Sequence, residues 1–68
     1  MNLTPVSSSN ISAIGYDDGN LYVSFHSGGL YVYFNVPISV YHSLMSASSH
    51  GSYLAHHVKG VYRYQRIG

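Results

Sequence analysis

Three short aromatic-rich segments separated by tight-turn signals restrict this chain more than any other feature. They are Ile11–Tyr16, Leu21–His26 and Leu30–Val36, with Asp17-Asp-Gly-Asn20 and Ser27-Gly-Gly29 between them. Such spacing predicts a three-stranded antiparallel meander. Gly and Asn tolerate the positive φ of primed hairpin turns, so each interruption reads as a tight turn. A two-residue turn at Asp18-Gly19 places Ile14 and Tyr16 on the aliphatic side of the sheet. A two-residue turn at Gly28-Gly29 would pair His26 with Tyr31 and Ser24 with Tyr33. In that register Leu21, Val23 and Phe25 share a face with Leu30, Val32 and Phe34. The other face then displays Tyr22, Ser24, His26, Tyr31, Tyr33 and Asn35. A three-residue loop would mix the two sets, because an odd slip turns every side chain over.

Beyond Val36-Pro37 the pattern changes. Proline cannot donate to a ladder but suits the first turn of a helix. Ile38, Tyr41, Leu44 and Met45 follow at helical spacing. That helix is expected to fade at Ser48-Ser49-His50 and to stop at Gly51. Ser52 is positioned to cap a second helix through Lys59, with Tyr53, Leu54 and Val58 inward and Gly60 ending it. Val61–Ile67 alternates and suits a last strand against the edge of the meander. The expectation is an α+β fold: a three-stranded antiparallel meander, one or two short helices and a C-terminal strand. Residues 1–10, with Pro5 and the run Ser7-Ser-Ser9, read as a polar arm before a single domain over residues 11–67.

The chain has 68 residues, 46% hydrophobic and only 7% charged. An ordinary soluble domain carries roughly 25% charged residues. A chain this short buries only roughly 60% of its unfolded surface, and with no cysteine it has no disulfide to staple it. Low charge on a small core predicts a surface covered in use, most simply by other copies in a homo-oligomer. No run is long enough to span a membrane, and the start lacks the features of a signal peptide. A cytoplasmic protein without membrane contact is expected.

Charge also limits the ligand. Only Lys59, Arg63 and Arg66 are basic. Binding a duplex backbone uses several such contacts, so duplex DNA is excluded as a partner, whereas one or two phosphates remain within reach. Among the candidate ligand-binding residues, Tyr22, Tyr31 and Tyr33 can stack bases, Asn35, with Ser24, can read a base edge or ribose hydroxyls, and His26 shares their face. Lys59, Arg63 and Arg66 can hold phosphate. The same tyrosines would equally serve a subunit interface, where amphipathic rings are common. The five histidines include no pair at the spacing of a zinc-binding helix, and no metal or cofactor is expected. Without Cys or Glu, and with both Asp residues in one turn, nothing selects catalysis.

The ordered set Ser8-Ser9-x-Ile11, Ile14-Gly-Tyr-Asp17, Leu-x-Val-x-Phe, Tyr31-Val-Tyr33, Val36-Pro37 and Leu44-x-x-Ala47-x-Ser49-x-Gly51-x-Tyr53 resembles the KTSC domain family. The resemblance covers residues 6 to 64. That family is named for its occurrence at the C-terminus of some lysyl-tRNA synthetases, and it includes free-standing small proteins of bacteria and phages. It implies RNA binding, proposed for the family through its synthetase association. This chain departs from the pattern at Leu54-Ala55-His56, where an aromatic residue and an asparagine are expected. Three functions follow as expectations. The first is non-enzymatic binding of a nucleotide-like ligand, including sequestration of a nucleotide immune signal by a phage-type protein. The second is an RNA-binding module acting with a larger partner, on short RNA. The third is a structural homo-oligomer.

Overall fold

The computed structural model describes residues 2–68. Five strands form one antiparallel sheet in chain order: β1 (Thr4–Pro5), β2 (Ile11–Asp17), β3 (Asn20–Phe25), β4 (Leu30–Tyr33) and β5 (Tyr64–Arg66). Two helices, α1 (Ile38–Ser46) and α2 (His50–His57), lie between β4 and β5 in sequence. The fold is therefore α+β, a meander followed by helices and a C-terminal strand. The arm contributes to the sheet: Thr4 pairs with Ile14 and Pro5 with Ala13.

The β2–β3 hairpin has the expected register, with Asp17 opposite Asn20 and Ile14 opposite Val23. Asp18 and Gly19 both take positive φ, 49° and 84°, as a type I′ turn requires. Ile11 and Ile14 are three residues apart, yet both are fully buried. A bulge at Ser12 makes this possible, since the extra residue restores the phase. Ile11 faces Phe25 on one side of it and Ala13 faces Ser24 on the other.

The β3–β4 hairpin differs from expectation. Ser24 pairs with Leu30, Val23 with Tyr31 and Leu21 with Tyr33. Phe25 N–H donates to the Gly29 carbonyl (3.1 Å), and Gly28 N–H donates to the Phe25 carbonyl (3.0 Å). The loop thus has three residues, and Gly28 (φ +96°) takes the left-handed position that closes it. Relative to a two-residue turn the register moves by three, which turns β4 over. Tyr31 and Tyr33 consequently share a face with Leu21 and Val23. Val32 lies opposite Tyr22 on the other face, and Leu30 lies opposite Ser24.

The helices cover the first of these faces. Ile11, Ile14, Leu21, Val23, Tyr33 and Val36 meet Leu44 of α1, Leu54 of α2 and Val58 in the core. Tyr16 fixes the entry to α1: its hydroxyl donates to the Val36 carbonyl (2.6 Å), and its ring stacks on Tyr41 at 5.2 Å. Ile38 begins α1 but is exposed; the buried side comes from Leu44, with Val40, Tyr41 and Met45 partly covered. α2 begins earlier than the glycine suggested. Ser49 is its cap, its hydroxyl accepting from Ser52 N–H (3.2 Å). Gly51 sits in the first turn because Asn10 passes over it: a β-carbon there would lie 2.5 Å from the Asn10 side-chain oxygen. No helix is long and apolar enough to cross a membrane among the described residues.

Candidate functional site

The helices do not cover the whole inner face. Toward the end of β3 and across β4 and β5 the inner face carries Phe25, Tyr31, Tyr33 and Tyr64, and the turn after α2 borders it there. A cavity of about 470 Å³ opens in this place, lined by these four rings, by Lys59 and by the glycines of the two adjoining turns. The sheet register assembles the rings. Tyr33 faces Tyr64 across β4–β5, with centroids 5.7 Å apart. Tyr31 lies 6.0 Å from Tyr64 and meets Phe25 edge-on at 5.5 Å and 84°. The three tyrosines form a tilted aromatic wall, and Phe25 closes one end.

Two cations border the wall. Lys59 Nζ stands 5.4 Å from the Phe25 ring centre, within range of a cation–π contact. The Arg66 guanidinium lies 6.0 Å from the Tyr31 ring centre, and its Nε–H donates to the Gly68 carbonyl (2.9 Å). Burial pushes the Tyr33 hydroxyl pKa up, and the neighbouring Tyr64 and Tyr31 add to the shift. Tyr33 is only 3% exposed, so it remains a neutral hydroxyl at the base of the cavity. The arrangement can stack a flat ring on tyrosine, donate hydroxyl hydrogen bonds to it and place an ammonium beside an anionic group.

Of the eight residues singled out in the sequence, the structure brings together Tyr31, Tyr33 and Lys59, with Arg66 at the side. Tyr22 lies on the opposite face, half-buried beside Val32. His26 is turned toward the N-terminal segment, its Nε2 donating to the Ser8 carbonyl (3.0 Å). Asn35 is exposed in the β4–α1 connection at positive φ (55°). Arg63 is exposed ahead of β5, and its carbonyl accepts from Phe34 N–H (2.9 Å). A single polar face carrying Tyr22, His26, Tyr31, Tyr33 and Asn35 therefore does not exist. Phe25 and Tyr64 were missed. The alternation around Tyr64 was visible, but only the three-residue loop brings Phe25, Tyr31 and Tyr33 to one side. Among the described residues, no group of three or more His, Asp or Glu is placed to hold a metal ion.

Residues 7–64 match the KTSC domain, and the chain belongs to that family. A KTSC domain protein from Yersinia pestis, known from its crystal structure, superposes with a TM-score of 0.95 at 39% identity. The match covers 98% of this chain and 97% of that one. A protein of Tsukamurella paurometabola is 38% identical over 63 residues, 90% of this chain and 94% of its own length. Lysine–tRNA ligase of a Nostoc species is 38% identical over 47 residues, 69% of this chain. The chain spans only 8% of that ligase's length.

Proposed function

We propose that this chain is a non-enzymatic binding protein for a small phosphorylated nucleotide-like ligand, held in the aromatic cavity. The tyrosine wall with Lys59 at its rim carries the reading. Base–aromatic stacking contributes roughly 1–3 kcal/mol per base and tolerates any base. The cavity, about 470 Å³, falls in the range of roughly 300–1,000 Å³ common for small-molecule sites. One ammonium beside three rings suits a short phosphate group better than a long backbone, whose binding adds a salt-dependent term for every phosphate. A cytoplasmic homo-oligomer of this kind could sequester a nucleotide signal, as phage proteins do with bacterial immune signals.

A second reading, an RNA-binding module beside a larger partner, is favoured by the similarity to a lysine–tRNA ligase. Calorimetric titration with mononucleotides, cyclic dinucleotides, ADP-ribose derivatives and short RNAs separates the two. The first reading expects a small nucleotide to bind with weak salt dependence. Tyr31→Ala and Lys59→Ala should then each weaken it about 5- to 150-fold. Preference for RNA with a steep salt slope would transfer the site to the second reading. No binding by any ligand in the series would refute both.

A further inference from the structure

The two edges of the sheet are finished differently. At β1, Pro5 lacks an N–H and blunts the edge. At β5 no proline intervenes. Phe34 N–H donates to the Arg63 carbonyl and Ile67 N–H to the Leu30 carbonyl, so Arg63 and Ile67 turn their backbone groups inward to β4. By antiparallel alternation Gln65 does the same, while Tyr64 and Arg66 turn their N–H and C=O groups outward. Among the described residues, no bond outside the ladder takes those groups. The exposed apolar surface collects in the same place. Four large hydrophobic side chains are exposed among the described residues, and three of them are Val61 (62%), Tyr64 (61%) and Ile67 (46%). The fourth is Ile38, on α1.

We propose that β5 pairs antiparallel with β5 of a second copy, about a two-fold axis through Gln65. This register is self-complementary. Tyr64 of each copy then faces Arg66 of the other, and the outward groups of both residues are bonded at once. Cross-strand partners share a face, so the second copy's Arg66 arrives on the cavity side, beside Tyr64. A guanidinium over a tyrosine ring is a favourable neighbour. The open wall of the cavity is thereby completed by the second copy, which adds a cation to a site that has few. The basic residues of the two copies repel, so the association is weak and strengthens as salt screens them. The pairing deepens the self-association in the reading above and is measured without ligand, so its failure leaves nucleotide binding to be judged separately.

The chain has no cysteine, which makes cross-linking a direct test of register. Opposed residues of a pair without mutual hydrogen bonds have α-carbons about 4.5 Å apart, within the disulfide range of about 4.4–6.8 Å. Only Gln65 opposes itself in the proposed register, and its side chain is exposed. Three single variants of the full chain, Gln65→Cys, Arg63→Cys and Ile67→Cys, are oxidised mildly, with circular dichroism checking the fold of each. Sedimentation velocity follows the unmodified chain from micromolar to millimolar concentration. The expected results are a rise above the 7.5 kDa monomer mass with concentration, and disulfide dimer forming fastest in Gln65→Cys. A monomer throughout would overturn the proposal. So would a dimer in which Arg63→Cys or Ile67→Cys cross-links as fast as Gln65→Cys.

Discussion

The inner face of the sheet has two halves, one on β2 and β3 and the other on the end of β3 with β4 and β5, and they have opposite characters. Around Ile14, Leu21 and Val23 it is sealed by Leu44, Leu54 and Val58, and all six side chains are fully buried. Around Phe25, Tyr31 and Tyr64 it opens into a cavity. The difference lies in the roof, because α1 and α2 together supply 17 residues, too few to cover five strands from end to end. Where the roof exists, aliphatic side chains interlock. Where it ends, the rows switch to tyrosine, whose ring tolerates burial and whose hydroxyl tolerates water. A chain too small to complete its core thus leaves a binding surface at the place where coverage stops.

The sharpest way to break this comparison is to charge the sealed half. Val23 is fully buried opposite Tyr31 and Ile14. Val23→Asp would bury an unpaired carboxylate at a cost of several kcal/mol, a large share of a typical domain stability of about 5–15 kcal/mol. The variant should be unfolded by circular dichroism at neutral pH. Native melting in that variant would mean that the sealed half admits water as the open half does.

The elements of the fold were legible in the sequence, but the division of the inner face was not, because one loop was misread. Asp18-Gly19 identified the first hairpin because both residues must accept positive φ. Val36-Pro37 marked the end of the sheet, and the alternation after Gly60 marked the last strand. Ser27-Gly28-Gly29 was ambiguous, since two glycines serve a two-residue or a three-residue loop. Matching Leu21, Val23 and Phe25 with Leu30, Val32 and Phe34 assumed that aliphatics must meet aliphatics. The actual register sets Leu21 against Tyr33 and Val23 against Tyr31, and a tyrosine ring packs in the core as well as an aliphatic side chain does, as the 3% exposure of Tyr33 shows. From that one loop follow the misplacement of Tyr22 and the omission of Phe25. The start of α2 failed for a different reason. Gly51 answers to Asn10, more than forty positions away in sequence, and local reading sees only a helix stop.

Tyr33 stands at the border between the halves, with Leu21 on one side and Tyr64 on the other. Burial, then Tyr64 and Tyr31, raise its pKa above the ordinary 10.0. A raised folded-state value means that the folded protein favours the neutral phenol. That contribution is fully present below the unfolded pKa and is lost as pH rises through the folded one. Stability should therefore decline on the alkaline side of 10.0, and Tyr33→Phe should flatten the decline while changing neutral-pH stability by only about 1 kcal/mol. Denaturant midpoints across that range check it. An unchanged alkaline slope in Tyr33→Phe would assign the loss to other groups.

The smallest expected effect distinguishes the halves best. Leu54 and Tyr64 both face the inner side, one fully buried and the other 61% exposed. Leu54→Ala removes packed methyl groups and leaves a cavity, costing about 2–5 kcal/mol. Tyr64→Ala removes a ring that already stands in water. Its contacts with Tyr31 and Tyr33 are tilted and open, so the loss should be no more than about 0.5 kcal/mol, as for most surface positions. If the open half is a ligand site, the order reverses for binding. Tyr64→Ala should then weaken a stacked nucleotide by roughly 1–3 kcal/mol, measured by titration at a temperature where both variants are folded. Leu54→Ala removes no ring of the wall, although Leu54 packs in the same core as Tyr33, and its folded form should bind nearly as the unmodified chain does. A Tyr64→Ala variant as unstable as Leu54→Ala would show that the tyrosine wall belongs to the core, and would remove the basis for separating the two halves.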